Sequence, residues 1–390
     1  MVVDGWFLRR IEEVDRVVPD SSQLCRFVAG GWFLSQIDKV DLLSKGHLCA
    51  MRPTLSLVVL LLLVACQNRP ERSVYPAFYH WQTQVALGDA ERVLLDSLRV
   101  DRLYLKFFDL DWSERYGAAV PLANVRAGAA PLPVAEIVPC VFITNRTFQR
   151  VDRADLPVLA QRVGAKLREL ASRFPANRVV EWQFDCDWTA STRGAYFYFL
   201  ELLAKEGRVP LSATIRLHQV ADAGGTGVPP VARGMLMYYN TGELRNWATE
   251  NSMLEDRTAA AYLGTLEDYP LPLDVALPVF RWGVVFHPAG GVELLNNLDE
   301  SDIDTNADVV WTGEGRAEVR RGTYLRGHYV SAADRIRLES ISRESLLLAA
   351  QRLRKVATPD SMHVAFYQLD EAMAKRYAAE ALNRIVDAFR

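Results

Sequence analysis

The residues best suited to chemistry lie in one short run, Val180-Glu181-Trp182-Gln183-Phe184-Asp185-Cys186-Asp187-Trp188-Thr189. Side chains of an extended strand alternate between two faces, so Glu181, Gln183, Asp185 and Asp187 share one face, and Trp182, Phe184 and Cys186 take the other. Carboxylates at i and i+2 on one face sit about 6–7 Å apart. That spacing lets one carboxylate raise the pKa of its neighbour and prepare an acid or base. Asp185 and Asp187 are the candidate catalytic pair, with Glu181 as a weaker third. A structural reading stays open, in which the carboxylates cap Thr189, Ser191 and Thr192 at the next helix start.

Other polar and aromatic residues fall just after strand-like runs. Lys106, Asp109, Asp111 and Trp112 cluster near the end of one, Asn145-Arg146 follow another, and Arg216, His218 and Gln219 a third; Arg281-Trp282 follow a fourth. His80 and Gln82 share a face of the first. A sugar site pairs aromatic faces, for ring C–H groups, with polar side chains for hydroxyls. Trp81, Trp112, Trp188, Tyr238, Tyr239 and Trp282 could supply the faces. On these grounds Gln183, Trp188, Arg216, His218, Tyr239, Arg281 and Trp282 are candidate substrate-binding residues.

The elements that must position them alternate. Strands are expected at 77–82, 102–108, 136–144, 179–185, 211–216, 234–239, 275–280 and 364–369, and helices at 90–98, 154–174, 191–205, 258–267, 343–356 and 371–389. The helix at 154–174 places Leu156, Leu159, Val163, Leu167 and Leu170 along one face. Eight strands, most followed by helices, predict an α/β fold of the (β/α)8 TIM-barrel type, with residues at the carboxyl ends of strands lining the site. A doubly wound open sheet is the alternative, but no Gly-rich phosphate loop follows an early strand. The Gly-Pro stretch at 223–230 reads as a loop. Some 55 residues separate the seventh strand from its helix, so a small β-rich insertion is expected at about 287–341.

In this order the strands resemble those of family 18 glycoside hydrolases, the chitinase-like barrels. Their fourth strand ends in D-x-x-D-x-D-x-E; here Trp182 replaces the first Asp, Asp185 and Asp187 match, and Thr189 replaces the Glu. Met237-Tyr238-Tyr239-Asn240 is similar to their M-x-Y-D with Asn for Asp, Leu277-Pro278-Val279-Phe280 to their seventh-strand segment, and Phe366-Tyr367-Gln368-Leu369-Asp370 to their closing strand. The resemblance adds Thr189, Asn240 and Gln368 to the candidate substrate-binding residues and implies an N-acetylated glycan as ligand. It also implies that the usual general acid is missing, since Thr189 cannot protonate a leaving group near neutral pH. Losing a general acid removes about 10²–10⁴-fold in rate. Either Asp187, Asp185 or Glu181 has taken over, or the protein binds glycans without cutting them. The Asp185-Cys186-Asp187-Trp188-Thr189 stretch also resembles one in a family of bacterial lipoproteins of unassigned activity.

Composition narrows the partners. With 45 Lys+Arg against 48 Asp+Glu the net charge is -3, which gives no basic footprint for nucleic acid. Five Cys with no C-x-x-C pair and six scattered His give no metal spacing, so no metal and no cofactor are expected. Asp302, Asp304, Asn306 and Asp308 imitate a calcium loop, but Ala307 stands where Gly is required and Gly313 where the bidentate Glu belongs. Nothing in the sequence sets an oligomeric state.

A secretory leader lies inside the chain. Met51-Arg52-Pro53-Thr54 precedes an uncharged run from Leu55 to Ala65 that ends in Leu63-Val64-Ala65-Cys66. That run is shorter than the about 20 residues a membrane span requires. Leu-Val-Ala-Cys resembles a bacterial lipobox, which implies acylation of Cys66 and a lipid membrane as partner; Gln67 after it favours the outer membrane. Residues 1–50 are then an upstream extension translated from too early a start, 51–65 the signal peptide, 66–75 a polar tether and 76–390 the barrel domain. Three functions fit: a glycosidase using another acid, a glycan-binding lipoprotein, or an envelope scaffold.

Overall fold

The computed structural model describes residues 72–207, 209–356 and 359–390. The extension at 1–50, the leader at 51–65 and Cys66 lie outside these residues. Seven strands of the barrel come first, with shorter strands such as Ala118–Leu122 between them: β1 (Ser73–His80), β2 (Arg102–Ser113), β3 (Glu136–Ile143), β4 (Trp182–Cys186), β5 (Leu211–Arg216), β6 (Arg233–Met237) and β7 (Leu273–Pro278). Five strands of a second sheet, β8 (Arg281–Phe286), β9 (Val292–Asn296), β10 (Val309–Gly313), β11 (Arg316–Val319) and β12 (Arg335–Ser340), and a short hairpin of Thr323–Leu325 with His328–Val330 precede the last strand, β13 (Ser361–Tyr367). Strands β1 to β7 pair in parallel around a ring, and β13 closes it between β7 and β1. The fold is a closed eight-stranded parallel α/β barrel.

Helices cover the barrel where apolar spacing demanded it. In α1 (Asp89–Ser97), α2 (Leu156–Ala171) and α3 (Arg193–Ala204) the apolar faces are buried; in α2 these are Leu156, Leu159, Val163, Leu167 and Leu170. On β4, Phe184 meets Phe199 of α3 edge-on at 5.8 Å, so the apolar face of the run packs on helices. The expected helix at 371–389 is two, α5 (Glu371–Arg376) and α6 (Ala379–Asp387), following α4 (Arg343–Val356). Tyr377 and Ala378 are extended between them, and the Tyr377 hydroxyl donates to the Ile341 carbonyl at 2.9 Å. Ala223–Thr226 is a helical turn rather than a loop, closed by Asp222 accepting from the Gly225 amide and ended by Gly227 at φ 76°, a value that favours glycine.

Strand β2 runs five residues beyond its expected end at 108. A register shift between Lys106 and Phe108 marks a bulge, which resets the alternation and brings Lys106, Asp109 and Asp111 into one polar cluster. Strands β8 to β12 form an antiparallel sheet in the order β9-β8-β12-β11-β10, with a small core of its own that includes Val285, Leu295, Val319 and Ile336. Arg281 and Trp282, expected at the end of a barrel strand, open this sheet instead.

Candidate functional site

Strand β4 sends a row of polar side chains through the barrel from one end to the other. Gln183 lies mid-barrel, accepting from the Tyr79 hydroxyl at 2.5 Å and donating to Ser212 Oγ at 3.2 Å. Asp185, next toward the carboxyl ends, is fully buried; its Oδ1 accepts from Thr214 Oγ1 at 2.6 Å and from the Arg216 guanidinium at 2.9 Å. Asp187 reaches the mouth, where Oδ1 lies 3.3 Å from His218 Nε2 and accepts from Gln219 Nε2 at 3.4 Å. The pairing of Gln183 with Ser212 across β4 and β5 brings the alternate residues Thr214 and Arg216 alongside the row.

Glu181 departs from the expectation that it could serve the mouth. It precedes β4, at the opposite end of the barrel, and accepts a hydrogen bond from Ser212. Its neighbours there open their strands: Arg102 ion-pairs Glu136 at 2.7 Å, and Arg233 ion-pairs Asp274 at 2.7 Å. Burial raises its carboxyl to about 7, against the Ser212 bond. Alternation identified the face of Glu181 but could not say that this residue lies at the closed end.

The mouth gathers further ion pairs. Lys106 Nζ meets Asp109 Oδ2 at 2.9 Å, and Arg146 donates to both oxygens of Asp111, at 3.3 and 2.6 Å. Burial pushes the Asp109 carboxyl up while Lys106 pulls it down. Thr189 Oγ1 sits 2.9 Å from Ser191 Oγ, in a turn that Thr192 ties to Asn145 at 2.6 Å. Tyr239 lines the interior, stacked on Tyr367 at 5.5 Å beside Phe280, with Trp81 against Tyr367 at 5.8 Å. Asn240 and Gln368 stand at the ends of their strands. Among the described residues, Arg216 Nε, Asp109 Oδ1, Asn240 Oδ1 and Gln368 Oε1 are buried with no hydrogen-bond partner. All four residues stand at or just beyond the carboxyl ends of barrel strands, where buried polar atoms without partners call for an explanation.

Three expected contacts lie elsewhere. Trp188 is 1% exposed, packs 5.3 Å from Tyr196 and donates to the Thr226 carbonyl at 2.9 Å, so its ring anchors the helix layer. Trp282 is wholly buried, donates to Glu339 at 2.8 Å and packs 5.0 Å from Phe280, so its ring joins the barrel core and not an open face. Arg281 pairs with Asp299 at 2.5 Å, also in the insertion. A Trp near a strand end reads alike in sequence whether it faces ligand or helix, because both environments are apolar. His80, by contrast, is buried so fully that its pKa falls to about 4. Among the described residues, no three metal-capable side chains are grouped to hold an ion.

No family model matches this sequence, and no curated protein matches it. Solved structures are similar at low identity. The spore cortex-lytic enzyme SleL of Bacillus megaterium QM B1551 is 10% identical over 83% of this chain and 76% of its own, with a TM-score of 0.49. A chitinase from Chromobacterium violaceum is 12% identical over 81% and 99%, with a TM-score of 0.47. The GH18 chitinase ChiB of Flavobacterium johnsoniae is 11% identical over 82% and 94%, also at 0.47. Likeness at this level carries no argument about activity, and the barrel rests on its own closed ring of strand pairs.

Proposed function

We propose that this chain is a glycan-binding barrel that does not cut its ligand, held in the bacterial envelope by a lipid on Cys66. The observation that carries it is the state of the carboxylates at the mouth. Asp185 is neutralised by Arg216, Asp187 is held by His218 and Gln219, Asp109 by Lys106 and Asp111 by Arg146. Thr189 stands where the chitinase-like pattern has its acid, with its hydroxyl engaged in a turn. What remains is recognition: unpartnered polar atoms above an aromatic interior, the pairing that sugars use. Anchoring rests on Leu63-Val64-Ala65-Cys66, and Gln67 supports the outer membrane.

One observation favours a second reading. Burial pushes the Asp109 carboxyl toward its protonated form, so a hydrolase would use Asp109 as its acid. Native mass spectrometry of the full chain, with N-acetylglucosamine oligomers and peptidoglycan fragments, decides between them. Bound, uncut sugar is expected. Shortened products that vanish in Asp109→Asn would replace binding with hydrolysis, and the absence of any complex would leave the envelope-scaffold reading.

A further inference from the structure

The loop that leaves β6 turns back on itself and is held by the insertion sheet. Asn240 opens it at φ 57°, a left-handed conformation that Asn tolerates better than most residues but that still has to be held in place. Its amide donates to the Met253 carbonyl at 2.6 Å, and the Gly242 amide donates to the Ser252 carbonyl at 3.2 Å, so the two arms of the loop lie side by side. A Cβ at Gly242 would meet the Asn251 carbonyl oxygen at 2.8 Å, a contact that side chains do not make. On the returning arm Ser252, 2% exposed, donates to Glu339 Oε2 on β12 at 2.6 Å. The same oxygen accepts from Trp282 Nε1 on β8 at 2.8 Å, and Oε1 accepts from Arg337 Nε at 2.5 Å. Three donors from three elements leave that buried carboxylate one position.

The tip of the loop is fastened to the same sheet. The terminal nitrogens of Arg337 donate to the carbonyls of Asn246 at 2.5 Å and Leu244 at 3.0 Å, and those of Arg316 to Trp247 at 2.5 Å and Thr249 at 3.1 Å. Arg316 and Arg335 each lie 4.5 Å from the centre of the Trp247 ring. Asn251 Nδ2 donates to the Ser340 carbonyl at 2.8 Å. Most of these bonds end on backbone carbonyls, so they fix the course of the loop. Ser252 joins the sheet one residue from the carbonyl that takes the Asn240 amide. Asn240 itself is half-buried at the mouth, and among the described residues its Oδ1 has no donor. The direction of its side chain follows from the backbone at 240, and that backbone is tied to the Met253 carbonyl.

We propose that Ser252 and Glu339 are positioning residues of the mouth, through which the insertion sheet sets where Asn240 meets a ligand. The ligand part rests on the reading of the mouth as a glycan site. Neither residue has to touch sugar: Glu339 fixes Ser252, Ser252 fixes the returning arm, and the arm fixes Asn240. Calorimetric titration of the full chain with an N-acetylglucosamine tetramer, run as a double-mutant cycle, tests it. Asn240→Ala is expected to weaken the tetramer about fivefold, the worth of one neutral hydrogen bond, and Ser252→Ala about two- to fivefold. In the Asn240→Ala background Ser252→Ala should then change nothing further, because residues that act through one another are not additive. Additive losses, or full affinity in Ser252→Ala, overturn the proposal. Amide hydrogen exchange reads the same linkage without sugar. In Ser252→Ala the Asn240 amide should exchange at least about tenfold faster, from the loss of a hydrogen bond to a charged group, while the amides of β4 keep their parental rates. Equal acceleration in β4 would make Ser252 a general stabiliser and overturn the proposal, as would an unchanged Asn240 amide. Glu339→Gln, with one acceptor oxygen left for its donors, should speed the Asn240 amide in the same direction, and a parental rate there in the folded variant removes Glu339 from the relay. If the parent binds no tetramer, the glycan reading fails and the exchange rates alone decide the positioning role.

Discussion

Asp185 and Asp187 are two residues apart but do different work. Asp185 is fully buried, and Arg216 and Thr214 meet its charge there. Asp185→Ala leaves the Arg216 guanidinium buried and uncompensated, a loss of about 3–5 kcal/mol. The expected outcome is a clear fall in melting temperature together with loss of glycan binding. Asp187 is partnered by His218, whose side chain is 25% exposed, so water can replace what the carboxylate gave it. Asp187→Ala should cost less than Asp185→Ala, about 1–2 kcal/mol, because the buried Gln219 amide loses an acceptor but keeps the Trp188 carbonyl. It should still weaken an N-acetylglucosamine oligomer by about tenfold if the mouth binds sugar, from the loss of a charged hydrogen bond. Paired thermal melts and titrations separate the two; equal destabilisation by both would mean that Asp187 is structural as well.

At the scale of the element, β4 carries polar groups through the barrel, and Glu181 before it responds to pH in the opposite sense to His80 at the end of β1. Glu181, at the closed end, has its carboxyl raised by burial from an ordinary 4.5 to about 7. The folded state then holds a proton that the unfolded chain releases, so this group's stabilising contribution is present below pH 4.5 and is lost as pH rises to about 7. The full effect is about 3 kcal/mol. His80, lowered from 6.5 to about 4, works the other way, its contribution being present above pH 6.5 and lost as pH falls toward 4. The wild-type profile therefore mixes two slopes, and Glu181→Gln isolates one. Denaturant melts from pH 4.5 to 8 should show the Gln variant gaining on the parent as pH rises; a constant difference would refute the assignment. The same strand shows what sequence can carry. Alternation told which residues of 180–189 face inward, because a strand's period is fixed by backbone geometry. It could not tell depth, so Glu181 and Asp187 read alike although they stand at opposite ends. The bulge at Lys106 was invisible too, since one extra residue resets the pattern without a signature. Strand β5 and helix α4 matched their expected bounds because apolar periodicity and flanking breakers agreed there. Trp188 and Trp282 were misplaced because an apolar ring fits a core as readily as a cleft.

At the scale of the whole molecule, the barrel has a direction, and an anchor at Cys66 would use it. Strand β1 begins at Ser73, at the end opposite the mouth, and Arg72 is fastened there by bonds to the Phe389 carbonyl at 3.2 Å and the Arg354 carbonyl at 3.5 Å. From Cys66 to Arg72 the chain reaches at most about 20 Å when fully extended. Strand β1 itself, at about 3.3 Å per residue, is about 25 Å long, and the helix layer stands outside it. Such a tether is too short to carry the lipid around the wall to the mouth. An acylated chain must keep its closed end near the membrane and its mouth facing away, where large glycans can approach. A fluorophore at Lys205→Cys, exposed where α3 ends beside the closed end, should then be quenched by lipids bearing a quencher. One at Ala190→Cys, exposed beyond β4 at the mouth, should not. Among the described residues the native Cys140 and Cys186 are buried, so with Cys25 and Cys49 replaced by Ser the probe has one reactive site beside the acylated Cys66. Cys66→Ser should abolish both palmitate incorporation and the difference between probes. Stronger quenching at the mouth would show the barrel lying the other way, and palmitate incorporation by Cys66→Ser would remove the anchor on which the orientation depends.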